Sequence, residues 1–188
     1  MLETSSALTA ASSFVRVRHP QASLIDQIGR TPLLRLARVA RDVAPVEIWA
    51  KAEWFNPGGS VKDRAAARII REAERAGQLA QDRVLLDASS GNTGIAYAML
   101  GAALGHRVML CIPKNASAHT IDTIRAFGAE LVLTNPLRGS DGAIEEARRR
   151  AAEQPQRYYY ADQYNNEANW RALTRRPAWK FGNRRRGV

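Results

Sequence analysis

The spacing of hydrophobic and polar residues changes repeatedly between Ile25 and Asp162. Short continuous apolar runs, namely RVLLDA, RVMLCIP and ELVLT, are typical of strands that are covered on both faces. Longer segments with helical spacing alternate with them, including VKDRAAARIIREAERAG, GIAYAMLGAAL and the stretch from Asp141 to Glu153. Strands that alternate with helices in this way predict a parallel sheet with right-handed crossovers. We therefore predict an α/β fold, a three-layer domain with a parallel sheet.

The same pattern divides the chain into four segments. Residues 1–22 are rich in Ser, Ala and Thr without periodicity, which predicts a mobile extension. Residues 23–60 contain two strand-like stretches, IGRTPLLRL and VEIWAKAEW. Residues 61–168 hold the alternating strands and helices of a small α/β domain, and residues 169–188 form a basic tail.

A glycine-rich loop, FNPGGS, precedes the first long helix. Ser60 is a candidate N-cap with Asp63 as its capping-box partner, and Gly77 is a candidate stop. This assignment puts Lys62 in the first turn of the helix, where the helix dipole disfavours an ammonium group. A neutral amine is the form that Schiff-base chemistry requires. From the residues alone, an ordinary exposed lysine is the favoured explanation of the position, and composition does not overturn it.

A second loop, Ser89–Thr93, joins a predicted strand to a predicted helix. Its hydroxyls and backbone N–H groups could bind a carboxylate or a phosphate, and Gly91 would allow close approach. Ligands of open parallel sheets collect beyond the carboxyl ends of the strands, where this loop lies. An ordinary strand-to-helix turn accounts for the same residues.

Charge and composition narrow the classes of function. The net charge is +10, but residues 171–188 hold seven of the 28 basic residues and none of the 18 acidic ones. We therefore expect nucleic acid to be an unlikely partner, and a basic nucleic-acid-binding fragment is kept as an alternative. The single cysteine, Cys111, and the absence of Cys/His clusters predict neither a disulfide nor a metal site. With no membrane-length apolar run or basic leader, we expect a cytoplasmic protein without membrane contact.

Five segments, in order and at similar spacing, resemble the cysteine synthase family of pyridoxal-phosphate (PLP) enzymes of fold type II. They are IGRTPLLRL, KAEWFNPGGSVKDRAAARII, DASSGNTGIAYAMLGAALGHRVMLCIP, RAFGAELVLT and DQYNN. The resemblance extends from about Ser23 to Ala172, and it is closest to the B-type enzymes. It implies the N-terminal part of a fold type II enzyme, in which residues 23–60 would pack on a larger second domain.

The resemblance also implies the roles of individual residues. Lys62 would form the Schiff base with PLP and remove the α-proton of the amino-acid substrate. Asn92 would donate a hydrogen bond to the cofactor's 3′-oxygen. The substrate carboxylate would be bound by Ser89, Ser90, Gly91, Asn92, Thr93 and Gln163.

The implied reaction is β-replacement, in which an O-activated serine such as O-acetylserine and a sulfur donor yield cysteine. A homodimer is implied as well. Related PLP lyases and dehydratases, including threonine synthases, are the alternative within the fold, although their lysine motif typically reads S-F-K. A third reading is a fragment that binds a full-length synthase.

The resemblance stops after NNEANWRA, where the chain continues LTRRPAWKFGNRRRGV. The glycine-rich loop that binds the PLP phosphate in the family has no counterpart in these residues. One back-translation of the tail contains the expected family segment in another frame, so we hypothesise a frameshift near Leu173. We expect the 188-residue product neither to hold PLP tightly nor to make cysteine.

Overall fold

The structure is a computed structural model that describes residues 23–80 and 82–174. The predicted mobile extension, residues 1–22, lies outside the described residues, as does most of the basic tail, residues 175–188. The hypothesis of a frameshift concerns this tail, so the structure does not bear on it.

The first described segment forms a small antiparallel sheet. Helix α1 (Leu24–Gln27) is followed by β1 (Leu33–Arg35) and β2 (Trp49–Lys51), which pair with Leu33 opposite Lys51. The alternation in VEIWAKAEW predicts a longer strand, but only three of its residues pair. The chain then turns through a short 3-10 helix, Glu53–Phe55, which interrupts the strand geometry.

The second segment contains the four parallel strands and their helices. In chain order these are α2 (Lys62–Arg75), β3 (Val84–Ala88), α3 (Asn92–Leu104), β4 (Arg107–Pro113), α4 (Ala118–Ala126), β5 (Glu130–Thr134), α5 (Gly139–Glu153), β6 (Tyr158–Tyr160) and α6 (Glu167–Thr174). The strands lie in the order β5-β4-β3-β6, and every pair is parallel. The predicted parallel sheet is therefore confirmed.

Two apolar clusters on opposite faces of the sheet make three layers. One cluster packs Leu85 and Leu110 against α2, α3 and Ile124 of α4. The other packs Leu86 and Met109 against α5. All five residues of β3 are buried, as expected of a central strand covered on both faces. The predicted three-layer α/β arrangement is confirmed.

Glycines set the spacing and the end of α3. A Cβ atom on Gly101 would lie 2.4 Å from Cγ2 of Val108, so the helix approaches β4 more closely than any larger residue would allow. Gly105, with φ of 79°, ends the helix in the left-handed conformation.

Within residues 23–80 and 82–174, no helix is long and apolar enough to cross a membrane, and no cluster of His, Cys, Asp and Glu could hold a metal ion.

The sheet offers a test of the core assignment. We expect Leu110→Ala to lower the free energy of unfolding by about 3 kcal/mol, because the side chain is fully buried in β4 and its removal leaves a cavity. The matched control is Leu133→Ala in β5, which removes a side chain that is 42% exposed and should cost under about 1 kcal/mol. Urea denaturation of both variants measures the difference, and equal losses would contradict the assignment.

Candidate functional site

The loop before α2 folds back on the first turn of that helix. Lys62 is the first residue of α2, as predicted, and its N–H donates to the Ser60 hydroxyl over 3.2 Å. The predicted capping box is wrong, because the Asp63 carboxylate accepts from the N–H of Gly58 instead of that of Ser60. A Cβ atom on Gly58 would lie 2.5 Å from Oδ1 of Asp63, so the tight loop requires glycine there.

Asp63 is a buried carboxylate directly after Lys62. Burial raises its pKa to about 6, the Gly58 N–H opposes that shift, and the negative charge of Glu53 adds to it. The other oxygen, Oδ1, is buried without a hydrogen-bond partner among the described residues. The Asp63 carboxyl group, which is half protonated near pH 6, therefore follows directly after Lys62, the first residue of α2.

The Lys62 amine differs from the neighbouring lysine in its contacts. The Lys62 side chain is half-buried, and its Nζ has no hydrogen bond or ion pair with any described residue. Lys51, by contrast, donates to the carbonyl and hydroxyl of Thr31 and lies 3.5 Å from Glu53. Of these two lysines, Lys62 is the one whose nitrogen is available for chemistry.

A bidentate ion pair fixes the first turn of α2 to the preceding segment. Nε and Nη2 of Arg64 each donate to an oxygen of Glu53 over 2.7 Å. Nη2 also donates to the carbonyl of Gly29 and to the hydroxyl of Thr31. Arg64 is 6% exposed, so its charge is largely removed from water. The bidentate pair and the two further hydrogen bonds offset the free-energy cost of that desolvation.

The carboxylate of Glu53 has further donors, which set its pKa. Thr31 Oγ1 and Asn56 Nδ2 both donate to it over 2.8 Å, and Asn56 Oδ1 accepts from the N–H of Gly29. Burial by itself raises the pKa of Glu53, but hydrogen bonds from Arg64, Asn56 and Thr31 outweigh it and lower the pKa to about 2. Glu53 is therefore ionised at every pH at which enzymes ordinarily work.

The loop Ser89–Thr93 begins with a residue that caps α3. The Ser89 hydroxyl accepts from the N–H of Gly94 over 3.0 Å and from that of Gly91 over 3.4 Å. It is 9% exposed. Ser89 therefore shapes the helix start through its lone pairs, and its own O–H proton is what it could still offer a ligand.

The side chains in the rest of the loop differ in exposure. Ser90 and Asn92 are exposed, whereas Thr93 is buried. A Cβ atom on Gly91 would meet no atom within 4 Å, so open space lies directly above this residue. The exposed side chains and the N-terminus of α3 surround that space, and the arrangement suits an anion.

Gln163 is joined to the end of β3 beside this loop. Its Nε2 donates to the carbonyl of Ala88 over 2.7 Å, and its backbone N–H donates to Asp87. The side chain is buried, and the second amide proton of its carboxamide is the group left for a ligand.

The topology brings the predicted residues to one edge of the sheet. The loop follows the carboxyl end of β3, and Gln163 follows that of β6, the neighbouring strand. Helix α2 packs beside α3, and its C-terminus leads into the start of β3. Its N-terminus, with Lys62, therefore points toward the carboxyl ends of the strands.

Two groups of residues were missed from sequence. The network of Glu53, Asn56 and Arg64 gives no periodic signal, because it joins a short 3-10 helix and its C-cap residue to a separate helix, α2. Asp87 did give a signal, since it is an acid inside the buried apolar run RVLLDA. Cys111 is buried, and burial raises its pKa to about 12, so this cysteine is a small core residue.

Comparisons with known proteins agree with this arrangement. A family model described as pyridoxal-phosphate dependent enzyme matches residues 24–176. The cysteine synthase of Aquifex aeolicus (strain VF5) is 49% identical over 157 residues, which cover 82% of this chain and 48% of that protein. Cysteine synthase B of Escherichia coli (strain K12) is 43% identical over 148 residues, 79% of this chain and 48% of that protein.

Solved structures give the same result. The cysteine synthase of Entamoeba histolytica has a TM-score of 0.80 and 34% identity, with coverage of 96% of this chain and 53% of that one. An O-ureido-L-serine synthase has a TM-score of 0.80 and 37% identity, with coverage of 86% and 50%. The chain thus spans about half the length of the relatives it matches.

The buried ion pair generates a prediction about stability and pH. We expect Glu53→Gln to lower the free energy of unfolding by about 3 kcal/mol at pH 7, because it leaves Arg64 buried without its counter-charge. Since the folded pKa lies below the ordinary 4.5, this stabilisation is present above about pH 4.5 and is lost as the pH falls toward 2. Urea denaturation across this pH range measures both effects.

The control for this variant is Glu47→Gln. Glu47 pairs with Arg35, but the two side chains are 51% and 56% exposed, so the loss should stay under about 1 kcal/mol. Similar destabilisation by the two substitutions, or a Glu53→Gln effect that persists unchanged at acid pH, would contradict the role given to the pair.

Proposed function

Since the chain belongs to the family of pyridoxal-phosphate dependent enzymes, we propose that it carries the Schiff-base lysine and the substrate-binding loop of a cysteine-forming β-replacement reaction. The observation that carries the proposal is the Lys62 amine, which has no partner within residues 23–80 and 82–174, at the same sheet edge as Ser89–Thr93. The cysteine synthases among the relatives supply the reaction class.

The residues present fit one side of the cofactor. Lys62 offers a primary amine that no described residue binds, and the exposed carboxamide of Asn92 offers a donor for a ring oxygen. The space above Gly91 leaves room for a ligand to approach the backbone. When bound, PLP withdraws electrons from the substrate, so that the α-proton becomes acidic and the β-substituent can leave.

Each residue has a defined task in this proposal. Lys62 holds the cofactor and then accepts the α-proton at Nζ. Ser90, Thr93 and the N-terminus of α3 bind the α-carboxylate, to which Ser89 and Gln163 each contribute a remaining proton. Together these contacts orient the substrate so that its Cα–H bond faces the lysine.

The substrate class follows from the site and the relatives together. A carboxylate-binding loop beside a Schiff-base lysine suits an α-amino acid, and the relatives' names include cysteine synthase and O-ureido-L-serine synthase. We propose an O-activated serine such as O-acetylserine as the substrate, with a sulfur donor as the second one. A cytoplasmic homodimer, as the resemblance implies, is part of the same proposal.

Exposed apolar side chains in residues 23–60 support the domain organisation that we propose. Trp49, Trp54 and Phe55 are 41%, 59% and 60% exposed, and Leu34 is exposed as well. We propose that residues 61–168 form the small domain, and that residues 23–60 lie against the larger second domain that the family resemblance implies.

Chemical trapping tests the lysine. The purified chain is mixed with PLP and reduced with borohydride, which makes a lysine Schiff base permanent, and the modified peptide is located by mass spectrometry. We expect the phosphopyridoxyl group on Lys62 and its loss in Lys62→Ala. The control is Lys114→Ala, which removes an exposed lysine and should leave labelling of Lys62 unchanged. Labelling spread evenly over exposed lysines would refute the proposal.

Ligand binding tests the loop. We expect O-acetyl-L-serine to shift the backbone amide resonances of residues 89–93 and 163, with L-threonine as the comparison ligand for a dehydratase. Ser90→Ala should weaken binding roughly ten-fold through loss of a hydrogen bond to a charged group. Ser90→Thr keeps the hydroxyl and should retain the affinity. Stronger binding of L-threonine would favour the dehydratase reading instead.

A further inference from the structure

Asp87 is a carboxylate in the middle of the apolar core. It is 0% exposed and belongs to β3, whose other four residues are Val, Leu, Leu and Ala. A buried carboxylate is costly unless its oxygens are hydrogen-bonded. Asp87 lies near the end of the strand that precedes the Ser89–Thr93 loop. Its hydrogen bonds must offset this cost.

The contacts of Asp87 form a closed ring with Gln163. Oδ1 of Asp87 accepts from the N–H of Ala88 over 2.8 Å, and Oδ2 accepts from the N–H of Gln163 over 3.2 Å. The Gln163 side chain returns a hydrogen bond to the Ala88 carbonyl over 2.7 Å. Two segments separated by 76 residues along the chain are thereby fastened at the last two residues of β3.

The chain around Gln163 is shaped to make this contact. Asp162 has φ of 42°, a left-handed conformation that aspartate tolerates, and it turns the chain directly after β6. The carboxylate of Asp162 accepts from Nδ2 of Asn165, and Asn169 Nδ2 donates to the Gln163 carbonyl. The turn is therefore supported on both sides of the residue that meets Asp87.

We propose that Asp87 is a positioning residue that fastens Gln163 to the end of β3, and so holds the Gln163 carboxamide and the Ser89–Thr93 loop in one relation to the substrate carboxylate. This inference rests on the proposed function, because it assigns the loop a ligand. Asp87 is fully buried, and its contacts toward the site run through Ala88 and Gln163.

The groups around Asp87 allow its charge to change near neutral pH. Burial raises its pKa to about 7, against the opposing N–H donors of Ala88 and Gln163. The Tyr97 hydroxyl of α3 is buried nearby, and burial together with the charge of Asp87 raises its pKa. The titratable groups whose charges interact with Asp87 are Tyr97 of α3, Cys111 of β4, Tyr159 and Tyr160 of β6, and Asp162 after it.

Protonation of Asp87 changes what it offers to Gln163. A protonated Asp87 oxygen becomes a donor, and the nearby Tyr97 oxygen can accept from it. The hydrogen bond from the Gln163 N–H then weakens. The amide resonances of Ala88 and Gln163 should therefore report the charge of Asp87 directly.

The first experiment needs no ligand and no variant. The 188-residue chain is labelled with ¹⁵N, and its amide resonances are followed from acid to alkaline pH. We expect Ala88 and Gln163 to shift together with a midpoint near pH 7. The Leu137 N–H, which donates to the neutral carboxamide of Asn135, serves as the internal reference and should not follow that midpoint. Independent or absent titration of the two amides would overturn the inference.

The second experiment uses a matched pair of variants. Asp87→Asn should abolish the shared titration and speed hydrogen exchange of the Gln163 amide about ten-fold, because a carboxamide cannot accept from both N–H groups in place. Asp82→Asn removes the same charge at an exposed position just before β3 and should change neither signal. If Asp87→Asn does not fold, the titration of the unmodified chain still decides.

Binding of O-acetyl-L-serine separates this inference from the proposed function. If the unmodified chain binds and Asp87→Asn weakens binding about ten-fold, both stand. If the unmodified chain binds and the variant binds equally well, the positioning role is wrong and the proposed function survives. If the unmodified chain does not bind, the proposed function fails, and the positioning of residues 89–93 is decided by whether Asp87→Asn shifts their amide resonances.

Discussion

The bidentate ion pair between Glu53 and Arg64 is the contact on which the arrangement of the candidate site depends. Arg64 lies two residues after Lys62 on α2, so a fixed guanidinium also fixes the first turn of that helix. Glu53 belongs to the short 3-10 helix that follows β2. Through this pair, the small antiparallel sheet and the parallel domain become one support for the lysine.

The constraint reaches back to the start of the described chain. A Cβ atom on Gly29 would lie 2.5 Å from Nη1 of Arg64, so a side chain here would displace the guanidinium. Gly29 also has φ of 84°, a left-handed conformation that favours glycine. Its carbonyl and N–H bind Arg64 and Asn56. The segments IGRTP, KAEWFNP and SVKDR, which resemble the family separately, are therefore parts of one buried polar network.

Sequence patterns predicted the helices and strands, which depend on residues close together in the chain. They missed the polar contacts between residues that are far apart in the chain. The parallel sheet, the start of α2 near Lys62 and the buried strands follow from the spacing of apolar residues, and the structure has them. The predicted capping box is absent because the Asp63 carboxylate accepts from the N–H of Gly58 in the glycine loop. Arg64 and Gly29 are 35 residues apart, and no periodicity signals such a pair.

The two halves of the candidate site use buried carboxylates in opposite ways. Glu53 faces a fixed cation, which keeps its pKa at about 2, so the lysine side of the site gains stability from charge and loses it only in acid. Asp87 faces only N–H groups and hydroxyls, and burial raises its pKa from 3.8 to about 7. Because its folded pKa is the higher one, ionisation of Asp87 costs stability as the pH rises from 3.8 toward 7.

On the side of the Ser89–Thr93 loop, folding therefore favours the protonated form of Asp87. On the side of Lys62, it favours the ionised form of Glu53. With Asp87 in its proposed role, the contact to Gln163 changes with pH near neutrality, whereas the ion pair that fixes the first turn of α2 weakens only in acid.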